Sequence, residues 1–414
     1  MAAPRQIVSY VPQGTRRNES RPPAPTVEPT PDELAHISRA LQLLEEANPR
    51  PGVMTTANDQ LASLIQTLMA EDAQKRGRFE TAANNTLEVR FDAHDVLWLT
   101  NVAITKLRNL KKFDWQTPGE PAAIPSKYRI SMLADWGTGL YGAPVCAGTI
   151  ETMAHDSNKR ADMVLHLGDV YYSGTNEEID ARFLALWPTV PDAVNRALNG
   201  NHEMYAGGHG YYDRVLKSAK FDQSASCFAL TNDHWVLACL DTAYDDHDLH
   251  GAQAEWLNGI AANLQGRRLV LFSHHQPFSL LDSQGPKLVE KLAPLLKAKQ
   301  IYAWYWGHEH RCVMYEKHEF WGLYGRCVGH SGFPYFRDKI LGAPSAAPEW
   351  VRLEGKNLVP GANVLKGVNQ YVDKHPDEYG PNGFVTLEFD GPELIETVHA
   401  ADGDMLWKRP VGDD

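Results

Sequence analysis

Cysteine is scarce in this chain of 414 residues: Cys146, Cys227, Cys239, Cys312 and Cys327 are the only ones, and no two form a Cys-x-x-Cys pair. An odd, scattered set argues against a disulfide framework and against a thiolate-bound structural zinc. Cys239, inside a strand-like apolar run, reads as a buried thiol. A basic excess is also missing. Forty Lys and Arg face 52 Asp and Glu, a net charge of -12, which disfavours an extended nucleic-acid surface but leaves room for a pocket that takes one small phosphate compound. No apolar stretch approaches the ~18–20 residues of a spanning helix, and Met1 to Tyr10 lacks the apolar region of a signal peptide. The expectation is a cytoplasmic chain with no membrane partner. The apolar and charged fractions, 43% and 22%, suit a globular protein of one large or two ordinary domains.

Three regions follow from the texture of the chain. Residues 1–29 are rich in Pro and polar groups and read as a flexible arm. Residues 30–120 read as a helical N-terminal domain. Thr30-Pro31-Asp32-Glu33 is a capping box with Pro at the first helical position, followed by Leu34, Ile37, Leu41 and Leu44 at helical spacing. Leu61 to Met69 marks a second helix and about Ala93 to Leu110 a third. Nothing in this region looks catalytic, and any self-association is expected through these helices. Residues 121–414 read as the catalytic domain. Here Arg129–Ala134, Met163–Leu167, Arg196–Leu198, Trp235–Leu240, Arg268–Ser273 and Ile301–Trp306 are buried strands, separated by amphipathic stretches such as Ala252–Leu264. That alternation predicts βαβ units. Residues 341–382, rich in Pro and Gly, are expected to be a loop insertion. Gly383 to Phe389 alternates as a further strand.

Five short blocks carry the chemistry: Ala-Asp135-Trp-Gly, Gly-Asp169-Val-Tyr-Tyr172, Gly-Asn201-His202-Glu, Ser-His274-His275-Gln-Pro and Gly-His308-Glu-His310. Each sits at or just past the C-terminal end of a predicted strand, and several are about one βαβ repeat of ~30 residues apart. In open α/β sheets the ligand site lies outside the carboxyl ends of the strands, so residues remote in sequence converge on one edge. Carboxylate, phenol, amide and imidazole together suit a pair of divalent or trivalent first-row metals.

The same blocks, in this order, resemble the signature of the calcineurin-like metallophosphoesterases over about residues 128–335, and most closely that of the purple acid phosphatase branch. The resemblance implies a four-layer α/β (α+β sandwich) fold around two central mixed sheets. It also implies two metal ions, Fe(III) with Fe(II), Zn(II) or Mn(II). Most of the superfamily has Asp-x-His in the first block; here Trp136 and Gly137 follow Asp135, and Tyr172, three residues after Asp169, stands where the branch recruits a tyrosine. By resemblance Asp135, Tyr172 and His310 hold the first metal, Asn201, His275 and His308 the second, and Asp169 bridges them. His275 is preferred to His274 because it precedes Pro277 by two residues; alternation along a strand then turns His274 away.

The function this implies is hydrolysis of a phosphate ester, with a metal-activated hydroxide attacking phosphorus and His202 assisting the leaving alcohol. A phosphomonoesterase of the purple acid phosphatase type is the first expectation. A phosphodiesterase acting on small (cyclic) nucleotides or phospholipid head groups is the alternative, and a non-catalytic scaffold on the same fold comes third. His209, His234, His247, His250 and His330 are expected either to line the cleft or to serve packing.

Overall fold

Strands rich in β-branched and aromatic residues build two mixed sheets in the computed structural model, which describes residues 28–47, 58–75, 79–81, 87–89, 96–113, 116–221, 223–244, 248–282, 287–335, 345–372 and 376–412. The six-stranded sheet runs Met405–Pro410, Glu393–Ala400, Gly383–Asp390, Lys127–Leu133, Met163–His166, Val194–Ala197. Its last three strands are parallel, and the C-terminal hairpins join them antiparallel through Gly383–Asp390. The nine-stranded sheet has a parallel centre of Trp235–Cys239, Arg268–Ser273, Ile301–Trp306 and Tyr324–Val328, with antiparallel strands at both flanks.

The burial pattern explains the layering. Central strands such as Met163–His166 and Trp235–Cys239 are buried on both faces, so both sheets are covered on both sides, as parallel strands require. One core fills the space between the sheets, with Ile130, Met132, Leu165 and Val385 meeting Leu237, Val270, Phe272 and Tyr305. A second packs the outer face of the smaller sheet against the helix Gly142–Met153. A third packs the larger sheet against Gln253–Ala262 and the short helices Lys287–Lys291 and Ala293–Lys297. The result is a four-layer α/β sandwich around two mixed sheets, as expected.

A buried ion pair pins the sheets together. Arg326, on the larger sheet, donates its Nε–H to both oxygens of Glu396 on the smaller one at 2.9 and 2.8 Å, and Tyr305 donates its hydroxyl to the same carboxylate at 3.1 Å. Removing one partner strands a buried charge. Arg326→Met is therefore expected to lower unfolding stability by about 3–5 kcal/mol, read from the denaturant midpoint. Arg326→Met combined with Glu396→Leu should recover most of that loss.

The first helix, Pro31–Ala47, starts at the expected capping box: Thr30 N–H donates to Glu33 at 2.8 Å and Glu33 N–H to the Thr30 hydroxyl at 3.3 Å. Ile37 is buried and Leu41 and Leu44 partly so, whereas Leu34, in the exposed first turn, stays out. Gln60–Lys75 and Val96–Arg108 are the other two helices of this region. The arm at 1–29 falls almost wholly outside the described residues. The region 341–382 departs from expectation. It contains the strands Glu349–Leu353 and Ala362–Lys366, which extend the larger sheet beside Cys312–Lys317. Edge strands are only half covered, so Glu349–Leu353 lacks the continuous apolar run that makes a central strand legible.

Candidate metal centre

All five blocks lie beyond the carboxyl ends of parallel strands, and hydrogen bonds between their backbones zip them together. Asp135 N–H donates to the Gly168 carbonyl at 3.0 Å, Gly137 N–H to Asp169 at 3.0 Å, Gly307 N–H to His274 at 3.0 Å and Phe333 N–H to Asp135 at 2.7 Å. Asp135, Asp169, His308 and His310 adopt positive φ of 52°, 76°, 68° and 54°. Each non-glycine residue held there costs on the order of 1 kcal/mol or more, and such strain gathers where geometry serves function. Glycine is needed at close approaches. A Cβ at Gly329 would stand 2.3 Å from Asp135 Oδ2, and one at Gly200 2.2 Å from Asp169 Oδ1.

The side chains meet in two overlapping groups, Asp135–Asp169–His274 and His274–His275–His308, each with ligating atoms within 4.8 Å of one another. His274 joins them. Its Nδ1 lies 2.9 Å from the Leu167 carbonyl, which only accepts, so Nδ1 carries a proton and a neutral ring has its lone pair on Nε2. That lone pair faces Asn201 Oδ1 at 3.1 Å, His308 Nδ1 at 3.2 Å and Asp169 Oδ1 at 3.3 Å. Asp135 accepts the His308 N–H at 3.0 Å through Oδ1, while its Oδ2 is buried with no hydrogen-bond partner among the described residues.

Electron-rich atoms packed in a dry site repel one another unless a cation lies among them. Protonation shows the same tension. Burial and the Asp169 carboxylate push Asp135 well above the usual carboxylate range. Burial also works against a charge on Asp169, yet the fields of His274 and His202 hold it below that range. The donor set is hard oxygen and imidazole nitrogen, and it fits a pair of first-row cations.

At two adjacent pairs the arrangement differs from expectation: Tyr171 stands in for Tyr172, and His274 joins His275 at the cluster. Tyr171, not Tyr172, carries its hydroxyl into the cluster, 3.0 Å from Asp169 Oδ2 and 2.5 Å from His310 Nε2. Tyr172 is held from the other side: its N–H donates to Glu178 at 2.7 Å, its carbonyl meets His202 Nδ1 at 2.5 Å, and its ring joins an apolar group with Leu140, Tyr141 and Phe333. His274, expected to turn away, is the central imidazole, whereas His275 Nδ1 meets the Thr242 hydroxyl at 3.0 Å while remaining beside His308. Strand geometry ends at Ser273, so the alternation that sets neighbours on opposite faces no longer applies. Asp135, Asp169, Asn201, His308 and His310 are brought together as expected.

Residues 128–312, which contain every one of these blocks, match the family model of the calcineurin-like phosphoesterases. This segment is a calcineurin-like phosphoesterase domain. No curated protein matches the chain. Among solved structures it is similar to GAP50, the anchor in the inner membrane complex of Plasmodium, at 13% identity over 69% of this chain and 88% of that one with a TM-score of 0.47. It is also similar to PhoD, at 12% identity over 72% and 74% with a TM-score of 0.41. A third likeness is to a Vps29 single mutant from Entamoeba histolytica, at 12% identity over 68% and 98% with a TM-score of 0.30. These distant likenesses say nothing about the activity of this chain.

Within the phosphoesterase domain, His202 is wholly buried, its ring 4.1 Å from that of Tyr171. Its Nδ1 must donate to the Tyr172 carbonyl, which leaves Nε2 pointing to Asn58 Oδ1 at 3.5 Å. Burial holds His202 below the ordinary imidazole value and His310 at about 3. The exposed side of the cluster is that of His308 and His310, the half-covered members.

Glu203 is a positioning residue that the ligand pattern does not reveal. Its carboxylate accepts the N–H groups of Asp169, Val170 and Gly200, each at 3.1 Å, and so clamps the second block to the third. The signal for it is a helix that starts at Asn201 with Glu at its third position. Thr242, which orients His275, has no comparable signal. Of the remaining histidines, His209 meets the Lys111 carbonyl at 2.9 Å, His250 stacks on Tyr244, and His330 is buried with its pKa lowered to about 4. His234 is half-buried, and His247 lies outside the described residues. Among the described residues no helix is long and apolar enough to cross a membrane.

Proposed function

We propose that this chain hydrolyses phosphate monoesters with two bound first-row metal ions, in the manner of the purple acid phosphatases. The observation that carries the reading is the convergence of buried groups on His274 Nε2, with Asn201 Oδ1, His308 Nδ1 and Asp169 Oδ1 at 3.1, 3.2 and 3.3 Å. Asp135, His310 and Tyr171 would hold one ion, Asn201, His274 and His308 the other with His275 beside them, and Asp169 lies between the two sets. When bound, the ions supply an acidified water and positive charge for the phosphoryl oxygens. Asp169 carries the negative charge that both halves share. Glu203 and the backbone zipper keep the blocks in register without reorganisation, which is where electrostatic catalysis gains most. His202, oriented through Nδ1, directs Nε2 toward the side on which a departing alcohol takes a proton.

The test is elemental analysis of active protein together with parallel assays of an aryl phosphate and a bis-aryl phosphate. About two metals per chain and faster cleavage of the monoester are expected. Full activity with one metal or none, or cleavage of the diester alone, would overturn the reading. A tyrosine phenolate on ferric iron absorbs visible light, so iron-loaded protein should be pink or violet. Tyr171→Phe should bleach that band and Tyr172→Phe should leave it, measured by absorption spectroscopy at equal iron content. The reverse result would restore Tyr172 as the ligand.

A further inference from the structure

We infer that the N-terminal helical region is a working part of the catalytic site, with Thr67 as a positioning residue for the loop that carries Asp169 and Tyr171. The inference rests on the phosphoesterase reading for its kinetic consequences, but its structural core does not.

Thr67 lies midway along the helix Gln60–Lys75 and is buried, more than a hundred residues from the groups it touches. Its hydroxyl donates to Glu178 Oε1 at 3.0 Å and lies 2.7 Å from the Ser173 hydroxyl. A carboxylate only accepts, so the single Thr67 proton goes to Glu178 and Ser173 must donate to Thr67. Glu178 in turn accepts the backbone N–H groups of Tyr172 at 2.7 Å, Ser173 at 3.1 Å and Thr175 at 3.2 Å. The chain of hydrogen bonds therefore runs from the N-terminal helix through one carboxylate to three backbone amides of the loop just after Tyr171.

Two further contacts place the same region over the third block. Gln60 donates its side-chain amide to the Tyr205 carbonyl at 3.0 Å, at the end of the helix that begins with Asn201 and His202. Asn58 reaches His202 Nε2 at 3.5 Å. Ala70, one turn beyond Thr67, is buried in the apolar group that includes both Tyr171 and Tyr172. A region outside the matched domain thus touches both catalytic loops on the His202 side, where the leaving group departs. Small displacements of such loops are costly, since a misplacement of about 1 Å can cost about 10²-fold in rate.

The experiment uses the full chain with Thr67→Val, which keeps the shape and removes the hydroxyl, and Thr67→Ser, which restores it. Hydrogen exchange at Tyr172, Ser173 and Thr175 should quicken at least about tenfold in Thr67→Val and return in Thr67→Ser. With metals loaded, kcat should fall about 10- to 100-fold with little change in KM, again rescued by Ser. Unchanged exchange at those amides together with unchanged kcat would overturn the inference. Faster exchange in a protein whose wild type cleaves no phosphate ester would uphold the positioning and defeat only the phosphoesterase reading. Should Thr67→Val not fold, Asn58→Ala at its exposed position serves: it should slow an alkyl phosphate about tenfold more than an aryl phosphate, and equal effects on both would count against the inference.

Discussion

Asp169→Ala will abolish phosphate-ester hydrolysis, with turnover down by about 10³-fold or more, and will strip metal from both halves of the site at once. Asp169 reaches groups of the second, third and fourth blocks. Its Oδ1 accepts the His202 N–H at 3.2 Å and lies 3.3 Å from His274 Nε2, while its Oδ2 accepts the Tyr171 hydroxyl at 3.0 Å. Alanine removes a negative charge shared by the two proposed ligand sets, so neither set keeps the charge balance that two cations require. The protein should still fold, because the backbone of Asp169 is held independently by Glu203 and Gly137. Loss of the buried charge also relieves Asp135, whose carboxyl the Asp169 charge helps to push up. Elemental analysis, thermal denaturation and initial rates on one preparation decide the matter. A variant with two metals and a tenth of wild-type activity would show that Asp169 bridges nothing.

His202→Ala should keep both metals and lose about 10²–10⁴-fold in turnover on an ester with a poor leaving group. His202 stands next to Asn201 in the chain, but its Nδ1 is committed to the Tyr172 carbonyl and its Nε2 looks away from the ligands toward Asn58. That geometry does not suit a ligand, and it lets His202 give a proton to a departing oxygen through Nε2 when the ring is the imidazolium. The penalty should shrink toward unity with a nitrophenolate leaving group, which departs without a proton. Because the ring is wholly buried against Tyr171 and Tyr205, the variant also loses packing, and a lower melting temperature is expected. The ratio between substrates separates the two effects, since a packing defect slows both alike. Metal loss in the variant would place His202 among the ligands instead.

Much of the architecture was legible because it follows from local pattern. Runs such as Arg268–Ser273 and Ile301–Trp306, apolar on both faces, can only be central strands, and their bounds are those observed. Thr30 to Glu33 carries the helix start in four residues. The position of the chemical blocks at strand ends was equally readable, since a parallel sheet delivers all its carboxyl ends to one edge. The strands at 349–353 and 362–366 were hidden because their evidence is a neighbour rather than their own composition: Cys312–Lys317 for the inner strand and the inner strand for the outer.

By itself the sequence determined which chemical groups this protein brings to its site and the order of the strands that carry them. Asp135, Asp169, Asn201, His308 and His310 were nameable from their place at strand ends and from the resemblance of their blocks to the family signature. Only the tertiary structure decided that Tyr171 rather than Tyr172 turns its hydroxyl inward and that His274 joins His275 at the cluster. Tyr171 and Tyr172 are the same residue type one step apart, and so are His274 and His275. Their directions are set by groups far away in the chain: Glu178 and His202 fasten the backbone of Tyr172, the Leu167 carbonyl fixes the ring of His274, and Thr242 fixes that of His275. The N-terminal helix likewise reads as plain amphipathic pattern, and its buried Thr67 gains a role only when Glu178 is folded against it. Side-chain direction beyond the end of a strand is settled by hydrogen-bond partners rather than by periodicity, and those partners are contacts that only the folded chain brings together.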